Sequence, residues 1–173
     1  SFGILNLGVD EEKARSEVEQ VIQALGITPF RDRPAHALSG GQKKLVAIAD
    51  ILVMHPKVLI LDEPAASLDP KHRKLVRSIV EQLSKKGLTI LMATHDVDYA
   101  YAWADEIVLL DGGRVLRQGT PRQVCGDEEA MEQATLDLPA ALRLYRRMVQ
   151  KGILSPEEEP PKTIEDLERR ISG

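Results

Sequence analysis

Two adjacent carboxylates, Asp62 and Glu63, stand at the end of the apolar run VLIL at 58–61 and are followed at once by Pro64. A short continuous apolar run has the pattern of a buried parallel strand. Such a strand delivers its carboxy-terminal residues to the sheet edge where ligands bind in α/β folds. There Asp62 can hold Mg²⁺ through water, and Glu63 can orient and deprotonate an attacking water. Pro64 stops the strand and keeps both groups out of the ladder. Taken alone, a solvated Asp-Glu pair at a strand end remains the plainer reading.

A second string, LSGGQ at 38–42, stands one helix ahead. Ser39 is a good helix N-cap. Gly40 and Gly41 let the backbone approach an anion, and the exposed N–H groups of a helix start favour phosphate. Any Ser-Gly-Gly could be no more than a capped junction, but LSGGQ followed by an apolar helix and the Asp-Glu strand is a far more specific combination. Asp69, in Ala66-Ser67-Leu68-Asp69, precedes Pro70 and suits the cap of the next helix. His95, in Thr94-His95-Asp96, follows another apolar run. A lone histidine there is more often structural, yet a parallel pairing of the two runs would let His95 and Glu63 leave the same edge and converge on one phosphate. His36, His55 and His72 have no comparable placement and read as structural. The four histidines and single cysteine show no metal-ligand spacing.

The elements that must position these residues follow from periodicity. Ala14, Val18, Val21, Ile22 and Leu25 predict a helix over 10–25, stopped by Gly26. A loop over 27–38 carries Pro29 and Pro34. A largely buried helix is predicted over 40–55, a buried strand over 58–61, a helix over 70–86 and a second buried strand over 88–93. A short helix at 97–104 precedes a hairpin of 106–110 and 115–117 around Asp111-Gly112-Gly113. Strand, helix, strand, helix and hairpin predict an α/β fold, a parallel sheet flanked by helices with an antiparallel edge. A helix at 140–149, a linker at 155–161 and an amphipathic tail marked by Ile164, Leu167 and Ile171 complete the chain.

The 173 residues suit one globular domain. A net charge of −4 lacks the basic footprint of a nucleic-acid binder. Cys125, the only cysteine, has no partner for an internal disulfide. No apolar run reaches the ~20 residues that span a bilayer and no secretory leader is visible. The expectation is a soluble, cytoplasmic chain whose membrane role, if any, comes through a partner.

In this order and spacing, LSGGQ, VLILDEP, SLD and ATHD resemble the signature motif, Walker B, D-loop and switch histidine of ATP-binding cassette (ABC) ATPases. The flanking FGILNLGVDEEK, DRPAHALSGGQKK and DEIVLLDGGRVLRQGTP resemble the cobalt/nickel energy-coupling-factor transporter ATPases more closely. The resemblance runs over about 2–149. It implies a P-loop NTPase-like sheet lacking its first strands, with a helical subdomain at about 1–55 and a Walker B and switch core at about 56–120. Residues 151–173 would be a linker and tail, read as a docking or dimer-contact appendage.

The resemblance also assigns roles. Glu63 becomes the general base, Asp62 the Mg²⁺ ligand, and His95 a contact to the γ-phosphate of ATP. Asp69 would communicate across a dimer. Ser39, Gly40, Gly41 and Gln42 would embrace ATP held by a second ABC ATPase subunit. Transmembrane transporter subunits would be the further partners, placing the protein on the inner face of the cell membrane.

The chain departs from the family in three places. It contains no Gly-Lys dipeptide, so the phosphate loop GxxxxGK[ST] is absent from it; that loop and the Q-loop glutamine are expected ahead of Ser1. Each hydrogen bond to a charged group is worth ~1.5–3 kcal/mol, and ~4 kcal/mol separates micromolar from millimolar affinity. The chain alone is therefore expected not to bind ATP in cis. Ala65 stands where threonine is common, and Leu45 where arginine is common. Two rival readings are a non-hydrolytic half-cassette lending its LSGGQ to a partner's ATP, and a soluble ABC ATPase outside transport.

Overall fold

The computed structural model describes residues 8–156 and 159–171. The FGILNL stretch ahead of Gly8 and Glu157-Glu158 of the linker lie outside the described residues. The chain divides into two compact units, 1–93 and 94–173.

In the first unit, helix α1 (Glu11–Ala24) starts after Asp10 and ends where Gly26 takes a φ of 66°. The expected loop after it contains two 3-10 turns, Thr28–Phe30 and Ala35–Ala37, each opened by a proline at or just before its first residues. Helix α2 (Gly40–Leu52) buries Gly41, Leu45, Ile48 and Ala49 on one stripe. It ends three residues earlier than the apolar pattern suggests, because His55 turns the chain with a φ of 49°. The helix is not largely buried as expected: Val46 and Ile51 are exposed. Strand β1 (Val58–Asp62) pairs in parallel with β2 (Thr89–Ala93), Ile60 opposite Leu91. Between them α3 (Pro70–Lys85) packs on β2 and buries Val76, Ile79 and Val80.

Neither strand is buried on both sides. Leu59 is 1% exposed and Leu61 8%, whereas Ile60 is 70% and Leu91 61% exposed. Successive strand side chains point to opposite faces, so α3 and the core cover one face. The other presents Val58, Ile60 and Leu91 uncovered within this unit. The unbroken apolar run is thus the signature of a two-sided environment of which these residues supply one side.

In the second unit, α4 (Val97–Trp103) is stapled internally by stacking of Tyr99 on Trp103, with ring centroids 5.6 Å apart. Strands β3 (Ile107–Asp111) and β4 (Arg114–Gly119) form the expected hairpin. Gly112 and Gly113 supply the two positive φ angles of its turn, 53° and 75°. Its two strands pair antiparallel with each other, Ile107 opposite Gly119 and Asp111 opposite Arg114. Helices α5 (Pro121–Cys125) and α6 (Glu128–Gln133), which periodicity misses because each spans under two turns, are capped by Thr120 and Asp127. They enclose a core of Tyr101, Leu109, Val124, Cys125, Met131 and Leu142. Burial pushes the Cys125 thiol up to about 11, which makes it an inert core residue. Helix α7 (Ala140–Gln150) receives the tail helix α8 (Ile164–Ile171), whose Leu167 is buried in this same unit.

The two faces of β1 make opposite stability predictions. Leu59→Ala should destabilise the chain by about 2–5 kcal/mol, as for other buried leucines, and Ile60→Ala by less than about 1 kcal/mol. Urea denaturation of both variants measures the contrast; equal losses would contradict the one-sided burial.

Candidate nucleotide site

The start of α2 is a complete capping box. Gln42 N–H donates to Ser39 Oγ at 3.3 Å, and Ser39 N–H donates to Gln42 Oε1 at 3.0 Å. Ser39 and Gln42 are therefore engaged with each other, while the N–H groups of Gly40 and Gly41 belong to the first turn, which has no intrahelical acceptors. With the positive end of the helix dipole behind them, these groups suit an anion.

At the carboxy end of β1, Asp62 is exposed and Glu63 half-buried. Glu63 N–H donates to the Ala93 carbonyl at 2.9 Å, one step past the strand ladder. The backbone then turns sharply: Glu63 has a φ of 43° and Ser67 of 59°. A non-glycine residue in that region carries strain of about 1–3 kcal/mol and persists only where its surroundings over-determine it. Here Ala66 N–H donates back to the Glu63 carbonyl at 3.2 Å. Lys44 Nζ, reaching across from α2, donates to the carbonyls of Glu63 at 2.8 Å and Ala66 at 2.9 Å. Pro64 and Leu68 bury the apolar side of the turn.

Asp69 caps α3 through Oδ1, which accepts from the N–H groups of Lys71 at 3.0 Å and His72 at 3.1 Å. Its Oδ2 lies 2.5 Å from His72 Nδ1. The side-chain hydrogen bond from His72, reinforced by the backbone donors, holds the Asp69 carboxyl below its ordinary 3.8. The same imidazole sits against the signature helix: a Cβ on Gly41 would lie 2.7 Å from His72 Cδ2.

Of the residues singled out in the sequence, Ser39, Gly40, Gly41, Gln42, Asp62, Glu63 and Asp69 belong to the first unit; His95, exposed between β2 and α4, falls in the second. Two residues of this region escape sequence reasoning. His72, read as merely structural, joins Asp69 to Gly41. Lys44 joins α2 to the Glu63 turn, and its spacing from Gly41 and Ile48 on the buried stripe was the available signal. Leu45 is 2% exposed, so the aliphatic side chain in place of the common arginine is a core residue.

The architecture is that of an ATP-binding cassette. The ABC transporter family model matches residues 4–66, which span the signature helix and the Asp62-Glu63 strand. The chain is similar to the energy-coupling factor transporter ATP-binding protein EcfA2 of Methanospirillum hungatei, at 40% identity over 99% of this chain and 43% of the relative. It is likewise 40% identical to the cobalt import ATP-binding protein CbiO of Rhodobacter capsulatus, over 100% of this chain and 62% of that one. Among solved structures, cbiO1 of Clostridium perfringens, part of the ABC transporter complex cbiONQ, superposes with a TM-score of 0.66 at 40% identity. That match covers 85% of this chain and 58% of the other. The chain belongs to the ABC transporter ATP-binding family. It spans about half the length of the relatives it matches, between 43% and 62% in these two.

Two outcomes follow from the Gly41–His72–Asp69 contacts. Gly41→Ala should destabilise the chain, and His72→Ala in the same molecule should recover most of that loss by vacating the space; thermal melts of the single and double variants test it. A carboxyl with a lowered folded pKa contributes stability above its unfolded value and loses it as pH falls through the folded one. The Tm deficit of Asp69→Asn should therefore be present above the ordinary carboxyl value of 3.8 and shrink as pH falls below it. A deficit that does not change with pH would remove Asp69's charge from the account.

Proposed function

We propose that the complete gene product is the ATP-hydrolysing subunit of an ABC importer of the energy-coupling-factor type, with cobalt or nickel ion as cargo. The observation that carries this is the delivery of Asp62 and Glu63 to the carboxy end of β1 in the unit that holds the LSGGQ helix. The relatives named for cobalt import and energy coupling support the transport class.

The residues present suit the groups this chemistry needs. Among the described residues no three His, Cys, Asp or Glu side chains gather into a metal cage. A single carboxylate at a strand end is the donor set Mg²⁺ uses when substrate phosphates complete its shell. Asp62 would hold that ion, which supplies charge neutralisation to the transferring phosphate. Glu63 accepts the proton of the attacking water, and His95 contacts the γ-phosphate. Ser39, Gly40, Gly41 and Gln42 face ATP carried by a second ABC ATPase subunit, and Asp69 relays closure between the two. Transmembrane subunits then convert closure into transport. Among the described residues no helix is long and apolar enough to cross a membrane, so attachment to the inner face of the cell membrane would come through those subunits.

Without GxxxxGK[ST] in its sequence, this chain by itself lacks cis ATP binding. Residues 1–150 are assigned to the carboxy-terminal portion of the nucleotide-binding domain, helical to about 55, and 151–173 to an appendage. The hydrolytic reading is preferred to a non-hydrolytic donor because a donor role gives Glu63 no reason to hold a strained φ of 43°.

In the complete gene product, Glu63→Gln should abolish ATP turnover, by at least about 100-fold, and leave ATP-driven dimerisation intact. Phosphate release and light scattering report the two halves. Wild-type turnover in the variant would remove Glu63 as the base.

A further inference from the structure

The one charged side chain on the buried stripe of α2 is Lys44, at i+3 from Gly41 and i−4 from Ile48. A half-buried ammonium needs oxygen acceptors, because leaving a charge unpaired away from water is costly. Lys44 finds two, and both belong to the turn that begins with Glu63. The Glu63 backbone is thereby held on each side of its Cα: the N–H by the Ala93 carbonyl, and the C=O by Lys44 Nζ together with Ala66 N–H. Fixing the peptide planes on both sides fixes φ and ψ between them. These two dihedrals set the direction in which the Glu63 side chain leaves the backbone.

We propose that Lys44 is a positioning residue that locks the Glu63–Ala66 turn to the signature helix and so sets the aim of the Glu63 carboxylate. This rests on Glu63 being the general base. Both hydrogen bonds of Lys44 to this turn go to main-chain oxygens, so it acts on the main chain. Because its own backbone sits in the first turns of α2, the aim of the base is tied to the placement of the helix whose N-terminus faces the nucleotide. Movement of that helix would reach Glu63 through one side chain.

The test uses Lys44→Met, which keeps the apolar stem and removes the donor, and Lys44→Arg, which keeps a cation of similar reach. Both are made in the complete gene product, beside Glu63→Gln. Lys44→Met should lower kcat for ATP hydrolysis about 10- to 100-fold, the order expected of a misaimed catalytic group, with KM for ATP within about twofold of wild type. Lys44→Arg should regain most of that kcat. Hydrogen exchange supplies a readout independent of turnover. The Ala66 amide should exchange about tenfold faster or more in Lys44→Met, as the loss of a charge-assisted hydrogen bond implies, while α3 amides stay at wild-type rates.

An unchanged kcat in Lys44→Met, with Glu63→Gln inactive, overturns the proposal and leaves the base assignment standing. So does a loss confined to KM, an unchanged Ala66 amide, or faster exchange spread through α2 and α3, which marks plain destabilisation. Wild-type turnover in Glu63→Gln overturns the base assignment and, with it, the proposal.

Discussion

The parallel ladder of Val58–Asp62 with Thr89–Ala93 extends one hydrogen bond past the end of β1, from Glu63 N–H to the carbonyl of Ala93, the last residue of β2. That bond anchors the point where a strand becomes a turn, and most of what is chemically interesting in the first unit hangs from it. Asp62 leaves the last ladder position. Glu63 occupies the first residue beyond it, in a left-handed conformation that an L-residue does not choose unaided. The strain is local and about 1–3 kcal/mol. The hydrogen bonds around the turn are individually of similar size, and those from Lys44 fall in the stronger, charge-assisted class. The turn is held because several such bonds act on a few consecutive peptide groups.

Helix α2 contributes at two levels. Its first turn is built by the reciprocal bonds of Ser39 and Gln42, which leave the glycine N–H groups available. Its inward-facing stripe begins in that same turn and continues into the next. Gly41 admits the His72 ring, Lys44 reaches the strand-end turn, and Leu45 enters the core. Consecutive turns of one helix thus meet α3 and the Asp62-Glu63 corner. The placement of the helix start is coupled to both through side chains with little room to shift. The exposed ion pairs elsewhere, such as Arg15 with Glu11 at 77% and 67% side-chain exposure, are worth little by comparison.

The uncovered face of β1 and β2 bears on the same architecture. Soluble proteins rarely leave a contiguous apolar strand face open, and such faces mark contact surfaces. Val58, Ile60 and Leu91 are as apolar as the Leu59 and Leu61 they alternate with, yet only the latter are buried by α3 and its neighbours. The strand composition is that of a sheet covered on both sides, in a chain about half as long as its relatives.

Local order carries much of this protein in the sequence alone. Helix periodicity placed α1, α3 and α4 to within a residue or two, Pro70 and Gly87 bracketed α3, and Gly112-Gly113 dictated the hairpin, because these are contacts between near neighbours. LSGGQ, DEP, SLD and THD in order were enough to name the family, and the strand-end position of Asp62 and Glu63 was legible from VLIL and Pro64. Tertiary structure decided what no neighbour rule encodes. Burial of β1 is one-sided, since coverage depends on which elements are present. His72 and Lys44 acquire their roles because α3 and the Glu63 turn come to lie beside α2. A lysine or histidine has no meaning of its own at those positions until packing brings Asp69, Gly41 and two main-chain carbonyls within hydrogen-bonding and van der Waals distance.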